Sequence, residues 1–179
     1  MPGDCSIRRA VVADAAALAA LAERTFVEAF GAVNRPEDLA LHCAASYGEA
    51  IQRREILDDA LATFVAEGAG GLTGYLQLAW GPPPAGIAGA RPMEIRRFYV
   101  DAPWQGKGLS QALMATAVDF AAGRDADPLW LGVWEENPRG IAFYRKCGFA
   151  VVGSHVFVVG SDPQRDLLMA RTLAGAGER

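Results

Sequence analysis

Residues Met93 to Leu113, MEIRRFYVDAPWQGKGLSQAL, decide the fold. Ile95, Phe98, Tyr99 and Val100 make a β-branched and aromatic run, stopped by Asp101-Ala102-Pro103, a turn composition that cannot continue a strand ladder. Beyond it the period changes. Leu109, Leu113, Ala117 and Phe120 recur at helical spacing, and Gly123 stands where a C′ glycine would close the helix. Between strand and helix lies Gln105-Gly106-Lys107-Gly108-Leu109-Ser110, whose glycines let the backbone approach a ligand and leave successive N–H groups unpaired at a helix N-terminus. Such a loop is an anion site, suited to a phosphate or pyrophosphate.

Two better-known phosphate loops are excluded by spelling. A Walker loop needs Ser or Thr after Gly-Lys, but Gly108 follows Lys107 and Asp101 stands where its first glycine belongs. A dinucleotide fingerprint needs a glycine at Gln111. Downstream, the apolar strand Leu129–Val133 runs through Trp134-Glu135-Glu136 into a helix start with Asn137 as N-cap and Pro138 at the first helical position. That helix ends at Cys147-Gly148, and helical geometry puts Asn137, Ile141 and Tyr144 on one face.

The first loop resembles Gln/Arg-x-x-Gly-x-Gly/Ala, the acetyl-CoA loop of the GCN5-related N-acetyltransferases, with Ser110 in place of the last small residue. Asn137, Ala142, Tyr144, Gly148 and Phe149 resemble the second acetyl-CoA segment of the same family. Met93–Tyr99, Leu129–Phe149, Ser154–Phe157 and Asp162–Met169, with Thr25–Phe30 and Asn34–Leu39, are similar to the bacterial PaiA-type enzymes acting on spermidine and spermine, so the likeness spans nearly the whole chain. It implies an α/β domain of the α+β type over residues 1–179: a mixed, mostly antiparallel, partly split sheet of about six or seven strands flanked by helices.

The resemblance also assigns roles. Phe98, Tyr99 and Val100 would pair their backbone with the pantetheine arm of acetyl-CoA, where a bulge splays their strand from Leu129 to Val133. Gln105, Gly106, Lys107, Gly108, Leu109 and Ser110 would hold the pyrophosphate, Asn137 would bond the pantetheine, Ala142 lies in the second segment, and Lys146 would reach a CoA phosphate. Lys107 and Lys146 are the chain's two lysines. Tyr144 stands where the family places its general acid, and Glu94 is the candidate base, acting through a water.

At 179 residues the chain is long enough to bury roughly two-thirds of its unfolded surface without staples. Three cysteines at unrelated spacing, no signal-peptide pattern and no apolar run long enough to span a bilayer fit a reducing cytoplasm and no membrane partner. A net charge of −4 argues against a nucleic-acid partner and suits a cationic substrate.

In chain order, Cys5–Val12 reads as a strand and Asp14 as the cap of a helix with the stripe Leu18, Leu21, Phe26 and Phe30. Helices follow at Pro36–Ser46 and Gly48–Ala60; the second carries Glu49, Arg53, Arg54, Glu55, Asp58 and Asp59, which read chiefly as a solvated face. Thr63–Ala66 and Thr73–Trp80 read as strands, Gly81–Pro92 as a loop, Phe149–Val159 and Asp166–Arg171 as a closing antiparallel pair around a Gly160–Arg165 turn, and Ala174–Arg179 as a frayed tail.

Acetyl transfer to an amine has two proton problems. An alkylammonium of pKa ~10.4 resists deprotonation at neutral pH by ~4.6 kcal/mol, and the departing thiolate needs a proton or a strong hydrogen bond. The expected reaction is direct attack of a primary amine on acetyl-CoA with no metal; Cys147, at a helix C-terminus, is a poor acetyl carrier. A polyamine leads as acceptor, with Glu28, Asp38, Glu55 and Glu94 as partners for its ammonium groups and His155 near it, while Arg96 would repel a polycation if it faces the channel. An amino acid, an antibiotic or a protein amino terminus fits the same chemistry. A non-catalytic acyl-CoA sensor is the rival of another class, and the chain would work as a monomer or homodimer.

Overall fold

β-Branched and aromatic runs become strands and alanine-rich apolar stripes become helices, in the order β1 (Ser6–Arg9), α1 (Ala15–Phe30), α2 (Pro36–Ser46), α3 (Glu49–Leu57), β2 (Leu61–Gly68), β3 (Gly71–Trp80), β4 (Met93–Val100), α4 (Leu109–Ala122), β5 (Leu129–Trp134), α5 (Pro138–Lys146), β6 (Ala150–Val159) and β7 (Asp162–Arg171). The computed structural model describes residues 5–173, so the expected tail at Ala174–Arg179 lies outside the described residues. The seven strands follow the order β1-β2-β3-β4-β5-β7-β6. β1 pairs antiparallel with β2, and β5 antiparallel with β7 from Leu129 opposite Arg171 to Trp134 opposite Asp166. The parallel ladder between β4 and β5 is two pairs long, Met93 with Leu129 and Glu94 with Trp130. Among the described residues no helix is long and apolar enough to cross a membrane.

The residues fall into two compact units. The first holds the chain to Gln77 with Arg97–Leu113 and Val158–Asp162. Its core joins Leu18, Leu21, Ala22 and Phe26 of α1 to Cys43 and Tyr47, Val65 of β2, Tyr75 of β3 and Val159. Each such large apolar side chain contributes about 1.5–3 kcal/mol when fully buried. His42, expected to be structural or solvent-facing, stacks on Phe26 at 4.3 Å between centroids. The second unit holds Leu78–Arg96, Met114–Phe157 and the chain from Pro163. Met93, Leu129, Leu131 and Met169 are fully buried there, and Ile87, Trp130 and Leu168 form a separate cluster.

Several boundaries depart from the sequence reading, each for a local reason. The first strand stops at Arg9 because Asp14 accepts the Val11 N–H at 2.8 Å and both Arg8 terminal nitrogens at 2.7 and 2.9 Å, bending Val12–Asp14 into a 3-10 turn. Asp14 therefore makes no side-chain cap on α1. α3 ends at Leu57, where Asp58 bonds the Ala60 amide at 2.9 Å. α4 is closed by Asp125 rather than Gly123: Asp125 takes φ 53°, and Ala126 and Asp125 donate to the carbonyls of Ala121 and Ala122 at 3.0 and 3.1 Å. A short polar side chain tolerates that left-handed conformation.

The final hairpin is tighter than expected, turning on Gly160 and Ser161 with β7 already begun at Asp162. Gly160 adopts φ 62°, and a Cβ there would sit 2.5 Å from the Cα of Asp38, so only glycine fits.

Candidate active site

The anion loop is built by the first unit. Gly106 and Gly108 take φ 74° and 87°, and nothing lies within 4 Å of a Cβ built at either, so the backbone between β4 and α4 presents an open surface. The first amides of α4 have no intrahelical acceptor, the first helical bond running from Ala112 to Gly108 at 3.1 Å. Gln105 donates its side-chain amide to the Val100 carbonyl at 3.0 Å and so fixes the loop's entry. Exposed Lys107 places Nζ 5.7 Å from the centroid of Trp104, a cation within reach of an incoming anion. Leu109 is buried and Ser110 half-buried. The cradle fits a pyrophosphate.

Asp101 donates to Thr73 of β3 at 2.9 Å, and strand alternation turns the Tyr99 backbone to that side as well. Of Phe98, Tyr99 and Val100, Tyr99 thus spends its peptide groups toward β3, while Phe98 and Val100 face the other way. Tyr99 stacks on Tyr75 at 5.6 Å.

In the second unit, Asn137 caps α5 as expected, accepting the Gly140 N–H at 2.9 Å. Its Oδ1 is therefore engaged, leaving Nδ2 to reach a ligand. Replacing Asn137 with alanine should destabilise the protein by about 1 kcal/mol, read from urea melts, since one orphan amide loses its acceptor. α5 closes in a Schellman motif: Gly148 donates to Arg145 and Phe149 to Tyr144, both at 3.0 Å. The accompanying apolar contact is the Tyr144 ring against Phe149, 6.0 Å apart and edge-on. This explains the Tyr-x-x-x-Gly-Phe spacing, because the glycine turns the chain so that the phenylalanine fixes the tyrosine. Burial raises the Tyr144 phenol above its ordinary pKa, keeping it a donor. Ala142 and Lys146 are exposed on α5. Cys147 is half-buried, and burial pushes its thiol pKa up although Arg171 opposes this.

Glu94 stands opposite Trp130 in the β4–β5 ladder, so it shares a sheet face with Trp130, Gly132 and Trp134. Burial raises its pKa against the pull of Arg96 and His155, moving a carboxylate toward the range of a general base. Asp166, opposite Trp134, lies on the same face; its side chain is 14% exposed and burial lifts its pKa to about 6, with His155 opposing. A Cβ on Gly132 would lie 3.1 Å from His155 Nε2 and 3.2 Å from Asp166 Oδ2. Gly132 and Asp166 escaped the sequence reading. The available signal was a lone glycine inside a strand between two tryptophans, which marks a close approach.

The structure brings together Glu94 and His155 of the expected acceptor residues and gives others different duties. Asp38 is buried and accepts from the Ser161 hydroxyl and N–H, both at 2.7 Å, and from Arg35 at 2.8 Å, which together hold its pKa down to about 2. It anchors the hairpin turn. Glu55 is not on a solvated face: it pairs with Arg97 at 2.5 Å and accepts from Gln77 and Gln52 at 3.2 and 3.3 Å. Arg97 is the partner the sequence reading missed. Glu28 and Arg96 are exposed. Among the described residues no group of His, Cys, Asp and Glu comes together as a metal site.

A cradle for a diphosphate in the first unit and, in the second, a protonated tyrosine on α5 and a sheet face bearing two carboxylates are the kinds of group that acyl-CoA-dependent transferases use. Residues 18–149 match the model of the Acetyltransferase (GNAT) family, and the chain belongs to that family. It is an acetyl-CoA-dependent N-acetyltransferase. An uncharacterized N-acetyltransferase in the pepI 3′ region of Lactobacillus delbrueckii subsp. lactis is 31% identical over 154 residues, 86% of this chain and 89% of that one. The uncharacterized N-acetyltransferase Rv2669 of Mycobacterium tuberculosis is 34% identical over 164 residues, 89% of this chain and 98% of that one. The crystal structure of the PaiA N-acetyltransferase from Thermoplasma acidophilum in complex with coenzyme A superposes with a TM-score of 0.78 at 20% identity, covering 94% of this chain and 98% of that one. That likeness concerns the fold.

Proposed function

We propose that residues 1–179 act as one acetyltransferase domain that moves the acetyl group of acetyl-CoA to a primary amine of a polyamine such as spermidine. The observation that carries the acceptor reading is a single sheet face bearing two carboxylates, Glu94 opposite Trp130 and Asp166 opposite Trp134, both raised in pKa by burial against the partial pull of His155 and, at Glu94, of Arg96. Acetyl-CoA supplies an activated acyl group as a thioester. The α4 cradle from Gln105 to Ser110 with Lys107 would hold its pyrophosphate, Phe98 and Val100 its pantetheine by backbone bonds, and Asn137 Nδ2 and Lys146 its outer polar groups.

Glu94 takes the ammonium proton through a water, and Tyr144 donates a hydrogen bond to the leaving sulfur. Cys147, with its thiol held protonated, stays out of the chemistry. The exposed position of Arg96 leaves its long side chain room to swing from an incoming cation. Cys5, Cys43 and Cys147 are all free thiols, which fits work in a reducing cytoplasm as a monomer or homodimer.

The test is release of free CoA thiol from acetyl-CoA with no acceptor, spermidine, spermine, and a panel of amino acids and peptides. Spermidine-dependent release is expected. Binding of acetyl-CoA with no release on any amine would sink the acceptor reading in favour of a sensor.

A further inference from the structure

The two ends of the sheet are built differently. β1 is four residues long and carries Arg8 and Arg9, and a short charged strand resists further pairing. β6, at the other end, is ten residues long, and from Ala150 to Val159 it holds no Asp, Glu, Lys, Arg or Pro. Among the described residues no strand pairs with its outer side. Val151, Val152, Val156 and Phe157, all in the second unit, are exposed, Val156 to 66%. Successive side chains alternate between faces, so Val151 and Phe157 lie on one face of the strand and Val152 and Val156 on the other. Apolar surface is thus left on both faces at once. A long, apolar, uncharged edge is a template for another strand.

The sequence of β6 favours its own copy. A strand without charge offers a charged peptide nothing to match, and it meets no local repulsion from itself although each chain carries a net charge of −4. Two copies joined edge to edge by a twofold axis perpendicular to the sheet run antiparallel. Residues that face each other then share one side of the sheet, so the axis passes through a residue rather than between two. With the axis at Ser154, the serine faces its own copy, His155 faces Gly153, Val152 faces Val156 and Val151 faces Phe157. Polar meets polar, and β-branched meets β-branched or aromatic. A Cβ added to Gly153 would meet nothing closer than Leu168 at 3.6 Å, so the glycine leaves room for the imidazole. Moving the axis to Gly153 or His155 sets Ser154 against a valine.

We infer that β6 is a dimer interface, in which two copies of this chain pair antiparallel about Ser154 and join their sheets into one. The inference selects the homodimer over the monomer and needs nothing from the choice of acceptor. His155 overlies Gly132, so Val151, His155 and Phe157 stand on the face of Glu94 and Asp166. The twofold axis keeps that face on the same side in both copies, and the two acceptor faces open side by side.

Sedimentation equilibrium of the whole chain at low salt should give twice the 19.0 kDa of one copy. Ser154 is exposed, so lysine or glutamate can replace it at the surface. Each variant sets like charges against each other at the axis and should raise the dimer dissociation constant about tenfold or more, while an equal mixture of Ser154→Lys and Ser154→Glu should restore it to within about twofold of wild type. A wild type that stays monomeric, or a dimer that neither charge weakens or that the mixture does not rescue, overturns the interface. Amide exchange of the wild type gives a reading that needs no variant: dilution should speed exchange in β6 and leave β1 unchanged, and a β6 indifferent to dilution overturns the inference.

Discussion

Replacing Tyr144 with phenylalanine should lower kcat for acetyl transfer about 100-fold while leaving the KM for acetyl-CoA within about twofold, the signature of an interaction made only in the transition state. Full proton transfer from a phenol of ordinary pKa ~10 to a thiol of ~8.5 is uphill by ~2 kcal/mol, and burial of Tyr144 makes the step steeper. The hydroxyl therefore works as a hydrogen-bond donor to the developing thiolate, which places the effect at the low end of acid–base contributions. The same shift removes Tyr144 ionisation from the pH–rate profile at and below pH 10. The ring keeps its contact with Phe149 in the variant, so thermal melts should be nearly unchanged. Steady-state kinetics showing an unchanged kcat would strip Tyr144 of its role.

The second large effect is on stability. Asp166 has an ordinary pKa of 3.8 in the unfolded chain and about 6 in the folded protein. A carboxyl whose pKa rises on folding binds more protons in the native state across that interval, so stability falls as pH climbs from about 4 to 6 and stays low above it. Asparagine has the same shape and no charge to desolvate. Asp166→Asn should therefore stabilise the protein by about 3 kcal/mol at pH 7, equivalent to ~10 °C in Tm, with the gain fading toward pH 4. Urea melts at both pH values read it directly. An equal gain at pH 4 and 7 would show that the carboxylate's charge is not the cause.

The parts legible in the sequence are those whose chemistry is local. The strand-loop-helix of β4 and α4 is spelled by a β-branched run, a proline turn and two glycines; α5 announces itself by Asn137-Pro138 and ends at Gly148. What stayed hidden depends on register and on side chains meeting across the fold. Asp125 outcompetes Gly123 because the position of the left-handed residue is set by which carbonyls remain free after Ala121. Glu55 turns inward because Arg97, far along the chain, arrives beside it. Asp166 reaches Gly132 only through the β5–β7 register, in which Trp134 faces Asp166. A polyamine partner list drawn from acidic residues could not tell Asp38, tied into a turn, from Glu94, left facing a sheet.

Three of the chain's four indoles give the molecule two built-in optical probes. Trp104 lies under the Lys107 ammonium, whereas Trp130 and Trp134 flank Gly132 on β5. An anion drawing Lys107 away would alter the emission of the first, and an amine arriving on the face that Glu94 shares with Trp130 and Trp134 would alter that of the others. Versions of the protein retaining either Trp104 alone or the β5 pair alone would let a fluorimeter time the arrival of cosubstrate and acceptor separately, and so establish their order of addition without following product.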